Sequence, residues 1–312
     1  MRISTQNFFD ASIQRLNEVQ NKLDQTSQQI SSGRKLTQAS DDPVAATQVL
    51  ALSQSQAINT QFAKNREYLR NQLSISDGAL TSINDVLQSI NEQVVAAGNG
   101  SFSASDRASI AQTLQGQRDQ LLALANTTDG AGHYLFAGQK TDTVPYTVDA
   151  STGGVSWQGD PQSVQIAADS SLRLATGVSG VDLFASKQAD GTVVDSVSFF
   201  TQLNTAISAL NDPSSTPASL ASSLKNLGDS FSTTLQQVTD AQASIGTRLQ
   251  QLDYQDQLGQ TRDSQYTASL SKLQDLDYNK ALSDLARQQL ILQAAQKTFA
   301  QLSDLSLFSF IR

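Results

Sequence analysis

Five prolines, Pro43, Pro145, Pro161, Pro213 and Pro217, leave residues 44–144 and 218–312 free of the residue that breaks a helix interior. No other feature restricts the fold as strongly. Both stretches carry apolar residues on a seven-residue repeat. In the first, Leu73, Leu80, Leu87 and Val94 recur, with Leu69, Ile83 and Ile90 interleaved. In the second, Leu224, Phe231, Val238, Ile245 and Leu252 do the same. Such a repeat turns one face of a helix toward a partner helix, so each stretch predicts a long helix with a mate.

Helix boundaries are written locally. Asp42 is a suitable N-cap and Pro43 fits the first helical position, which predicts a helix from Val44 to about Ala97. At 1.5 Å per residue that helix extends roughly 80 Å. Gly98-Asn99-Gly100 ends it, and Ser103 to Asp106 reads as a capping box with Asp in place of Glu, opening a helix to about Ala125. Thr216-Pro217 opens the C-terminal stretch in the same manner. The expected fold is mainly α: a long antiparallel helical bundle or coiled coil built from both chain ends, with residues near 80 meeting residues near 240.

A small central β-rich inserted domain interrupts it. Nine of the 17 glycines fall between Gly130 and Gly191. There the apolar period drops to two, at Val144 to Val148, Val155 to Trp157, Ser163 to Ile166 and Leu172 to Leu174, with Asp149 to Gly154 as a hairpin loop. Trp157 is expected in the core of that domain. The expected division is a bundle domain (43–140 and 196–272), a β-rich variable domain (141–195) and terminal helical segments (1–42 and 273–312) that are disordered in the monomer.

The two ends carry narrower stripes. Phe9, Leu16, Leu23 and Ile30 are spaced by seven, with Val19 beside them; so are Tyr278, Leu285, Leu292 and Phe299, with Ala281, Ala295 and Leu302 alongside. The chain closes on Leu305-Ser306-Leu307-Phe308-Ser309-Phe310-Ile311-Arg312. A single amphipathic helix of this length is marginal in water, and exposed apolar ends are an aggregation hazard. Phe9, Leu16, Leu23, Ile30, Leu285, Leu292, Phe299, Leu302 and Phe308 are therefore the candidate functional residues, as packing between helices and subunits.

Composition argues against chemistry. Cysteine is absent and His133 is the one histidine, which excludes disulfides, thiol nucleophiles and two-histidine metal sites. A triad around His133 lacks a G-x-S-x-G elbow. Asp41-Asp42 and Asp275 with Asp277 lack calcium-loop spacing; Asp42 and Asp277 read as helix caps. Arg34-Lys35, Arg66 and Arg70 read as a solvated face or as partners of nearby acids. A net charge of −8 disfavours nucleic acid, no apolar run approaches the ~20 residues of a membrane span, and the N-terminus lacks the apolar core of a signal peptide. No catalytic, cofactor or metal residue is expected. Charged residues make up only 16% of the chain, whereas 39 Gln and 41 Ser supply uncharged polarity. Such a surface lets copies lie close together.

Ser31-Ser32-Gly33-Arg34-Lys35-Leu36, followed by Ser40-Asp41-Asp42-Pro43-Val44-Ala45-Ala46, resembles the N-terminal signature of flagellins and their relatives. Leu273 to Tyr278, followed by Arg287 to Ala295, resembles the matching C-terminal signature. The Met1 to Thr5 start, the Asp-Asp-Pro, Leu124 to Gly130 and Tyr134 to Gly138 resemble the junction branch of that family more than its filament subunits. His133 stands where the family commonly has Arg or Lys.

The resemblance implies an extracellular structural protein of the bacterial flagellum, needed for filament assembly and motility. It would form a ring of identical subunits between the first junction protein and the flagellin filament. It also implies unfolded export through the type III apparatus with a chaperone, terminal segments as an inner tube, and an insertion facing outward. The alternatives are a flagellin proper, or a secreted coiled-coil adhesin or effector.

Overall fold

The computed structural model describes residues 2–98, 102–149, 151–188 and 190–308. Among these described residues seven helices and six short strands follow in the order α1 (Arg2–Ser32), α2 (Pro43–Ala97), α3 (Ala104–Ala125), β1 (Tyr146–Val148), β2 (Val155–Trp157), β3 (Gln165–Asp169), β4 (Leu172–Ala175), α4 (Val181–Phe184), β5 (Ser186–Lys187), β6 (Val193–Asp195), α5 (Ser198–Asn211), α6 (Pro217–Gln274) and α7 (Tyr278–Phe308). The chain forms two compact units, Met1–Asn59 with Gln260–Arg312, and Thr60–Gly259.

Capping chemistry sets the helix ends as expected. Asp42 Oδ1 accepts the N–H groups of Val44 and Ala45 at the start of α2. Ser103 and Asp106 cap α3 reciprocally, and the Thr216 hydroxyl accepts the Ser219 N–H at the start of α6. These bonds satisfy donors that the first helical turn leaves free.

In residues 60–259 the seams find each other. Leu69, Leu73, Leu80, Ile83, Leu87 and Ile90 of α2 are fully buried with Val238, Ile245 and Leu252 of α6. Each leucine or isoleucine taken from water contributes ~1.5–3 kcal/mol. The pairing is antiparallel, because Arg66 pairs with Asp256, Arg70 with Asp253, and Gln242 donates to Thr81 Oγ1 at 3.2 Å. Arg66 is 3% exposed and also donates to the Ala168 carbonyl at 3.0 Å, while Asn65 donates to Ala167 O at 2.8 Å. The helix pair thereby holds β3. Burial pushes the Asp256 carboxyl up, but hydrogen bonds from Arg66 and Arg70 outweigh it and hold the group below the usual carboxylate range.

The strands form three separate antiparallel hairpins, β1–β2, β3–β4 and β5–β6. Tyr146 stands opposite Trp157 and their rings lie 4.9 Å apart. Phe184 and Phe200 complete an aromatic cluster, with Phe200 5.5 Å from Tyr146. Asn126, which ends α3, fixes β1 by bonding both the N–H and the carbonyl of Tyr146 at 2.9 Å. Gly138 adopts φ +70°, and a Cβ there would lie 1.9 Å from the Asp160 carbonyl oxygen, so no other residue fits that turn. Two helices were not singled out in the sequence: α4, a single turn within the segment expected to be β-rich, and α5, whose Phe199, Phe200, Leu203, Ile207 and Leu210 are buried. Their three- and four-residue spacing is the local signal of α5.

Candidate functional site: the terminal helices and their joint

In the unit formed by residues 1–59 and 260–312, each end of the chain is interrupted once, and the interruptions meet. Between α1 and α2 the chain leaves the helix from Gly33 to Asp42; between α6 and α7 it does so from Asp275 to Asp277. The Lys35 N–H donates to Gln274 O at 2.6 Å and the Leu276 N–H to Gly33 O at 3.2 Å, with Arg34 opposite Asp275 in an antiparallel bridge. The residues that resemble the two family signatures thus build one object, a joint of paired backbone.

Local chemistry explains its shape. Gly33 takes φ +69°, a conformation that disfavours any side chain, and a Cβ there would stand 2.9 Å from the Tyr278 hydroxyl. Asp41 organises the turn: its Oδ2 accepts the N–H groups of Thr37 and Gln38 and the Thr37 hydroxyl, and its Oδ1 accepts Gln25 Nε2 at 3.0 Å. The Gln38 N–H, followed by the Thr37 hydroxyl and N–H, holds the Asp41 carboxyl below the usual range. Asp277 caps α7 by accepting the Lys280 N–H at 3.1 Å. Beyond the joint, Gln56 Nε2 donates to Asp263 Oδ1 at 3.0 Å, so α2 and α6 run antiparallel in this unit too.

From the joint, α1 packs on α7. Leu16, Leu23, Ile30, Leu285, Leu292 and Phe299 are all half-buried. The side chains of Phe9, Leu302 and Phe308 lie outside the described residues. Leu16, Val19, Ile291, Ala295 and Phe299 line a groove of about 460 Å³ along the two helices. Apolar side chains off the seven-residue stripes stand more exposed, Leu290 at 67%, Leu50 at 70% and Leu282 at 52%. The repeat passes over these three residues, and only their surroundings mark them. The unit therefore offers apolar surface. Among the described residues no three His, Asp or Glu side chains cluster as metal ligands, and no helix is long and apolar enough to cross a membrane.

Comparison with known proteins matches this layout. The family model of the bacterial flagellin N-terminal helical region covers residues 3–141, and that of the C-terminal helical region covers residues 229–311. The flagellar hook-associated protein 3 of Salmonella typhimurium is 36% identical, over 100% of both chains. The chain belongs to the flagellar hook-associated protein 3 family. A flagellin of Bacillus subtilis is 25% identical, over 88% of this chain and 87% of its own, so the filament-subunit alternative is the weaker match. The flagellar hook-associated protein 3 of Legionella pneumophila shares the fold at a TM-score of 0.63 and 20% identity, covering 72% of this chain and 98% of that one. Membership in the hook-associated protein 3 family makes this chain a structural component of the flagellum, an extracellular appendage.

Proposed function

We propose that the chain is a subunit of the ring that joins hook to filament, standing between hook-associated protein 1 and flagellin. Filament assembly and motility depend on it, and it works as an adaptor rather than an enzyme. One observation carries the reading: in a chain alignable end to end with a hook-associated protein 3, the terminal helices leave their apolar stripes half-covered. Leu16, Leu23, Ile30, Leu285, Leu292 and Phe299 complete their burial against neighbouring copies, together with Phe9, Leu302 and Phe308. Ordering the terminal segments costs entropy that a lone subunit does not recover, so the helices order fully in the ring. The same deficit discourages premature polymerisation and suits unfolded export through the type III apparatus, with a chaperone on the apolar ends.

Deleting the gene tests the placement. Cells should retain hooks, lack filaments and shed flagellin into the medium; filaments of normal length would refute the adaptor role. Limited proteolysis of the dilute monomer tests the ordering step, because ends that resist protease would refute it.

A further inference from the structure

One cavity in residues 60–259 has a chemistry that helix packing does not use. Its volume is about 190 Å³, and Tyr68 and Gln72 of α2 face Asp129, His133, Tyr134 and Thr141 of the turns after α3. The Asp129 side chain is only 7% exposed. Its Oδ1 accepts the N–H groups of Ala131 and His133 at 2.8 and 2.9 Å, and its Oδ2 accepts Gln72 Nε2 at 2.7 Å. Burial pushes this carboxyl up, yet those donors prevail and bring its pKa down to about 2. It is an anion at any physiological pH.

Among the described residues no Lys or Arg pairs with that anion; the nearest ring nitrogen, His133 Nδ1, is 3.4 Å away. Gln72 also donates to the Tyr68 hydroxyl at 3.0 Å, and its own buried Oε1 has no hydrogen-bond partner among the described residues. The hydrogen bonds to Asp129 stabilise the anion without cancelling its charge, and a negative charge lining a cavity attracts a cation. Tyr68 and Tyr134 also line this cavity, and the π face of an aromatic ring attracts cations. The space greatly exceeds the ~10–15 Å³ that one water needs. A divalent metal would want several carboxylate or imidazole ligands, and no such set is present among the described residues.

We propose that this cavity binds a small organic cation of the alkylammonium class, with Asp129 as counter-ion and Tyr68 and Tyr134 as aromatic walls. Isothermal titration of the full chain with tetramethylammonium chloride tests it, at constant ionic strength, with tert-butanol as the neutral compound of matching shape. Saturable millimolar binding of the cation and none of the alcohol is expected. Asp129→Asn should weaken binding about tenfold and Tyr68→Leu about threefold or more. Because Asp129 also pins its own turn, Tyr68→Leu supplies the variant that leaves the fold intact: Tyr68 is 47% exposed. Equal binding of tert-butanol, absence of saturation by tetramethylammonium, or unchanged affinity in Tyr68→Leu would overturn the proposal.

Discussion

Leu69, Leu73, Leu80 and Leu87 in the body, and Leu16, Leu23, Leu285 and Leu292 in the terminal helices, sit on similar repeats, yet the first set is wholly buried and the second only half so. What differs is the number of layers. In residues 60–259, α3, α5 and the aromatic hairpin cluster join the same core as the long helices. Near the chain ends, α1 and α7 form a pair. Two helices in contact cover one stripe each, and the flanks stay wet. The lesson is that a seven-residue repeat states a demand for burial, while the layers around it decide how far one molecule meets that demand.

The sharpest test of this contrast is a matched pair of truncations. Leu80→Ala should cost ~3–5 kcal/mol in urea unfolding of the full chain, the usual cost of a cavity in a closed core. Leu292→Ala should cost about 1 kcal/mol, since much of that side chain already meets water; equal losses would break the comparison. Next is Arg66→Ala, which leaves Asp256 with Arg70 as its remaining charged partner and removes the Arg66 donor from the Ala168 carbonyl. A loss of about 3 kcal/mol is expected, with faster amide exchange in β3 and β4.

Gly33→Ala should have a smaller, local effect of about 1–2 kcal/mol, the strain of a left-handed alanine. Hydrogen exchange would register it at Lys35 and Leu276, with the body unchanged; uniform destabilisation would show that the two units do not respond separately. The mildest perturbation is acid. The Asp41 carboxyl is held below its ordinary value, so its support is complete above about pH 4 and falls away as pH drops further. Amide exchange at Thr37 and Gln38 should rise in that window before the body loosens.

Much of this was legible from residues alone. Asp42, Pro43, Ser103, Asp106, Thr216 and Asp277 act within one helical turn, so their spacing declares the cap. The hairpin around Asp149 and Gly154 is equally local. The seams made the meeting of residues near 80 with residues near 240 legible, as the Gln242–Thr81 bond shows, but individual polar pairings between distant segments were not. Arg66 and Asp256 are 190 residues apart, and in sequence Arg66 looks like any basic residue on a helix. Its burial arises because β3 and α6 converge on it. The joint shows both sides of this limit. Its residues stood out as signatures, but a bond between Leu276 and Gly33 depends on where two interruptions fall in three dimensions. Similarly, the stripe holding Leu16 and Leu23 predicted packing, whereas its incomplete cover follows from the missing third layer.

The joint also imposes a timetable. Its defining bonds, from Lys35 to Gln274 and from Leu276 to Gly33, draw on opposite ends of the chain. A polypeptide that emerges from a ribosome or a narrow channel one end first cannot make them until nearly all of it has emerged. Until that moment the leading helix has no mate within its own molecule. Closure of the joint therefore comes last: a chain truncated before Gln274 lacks both of its defining bonds.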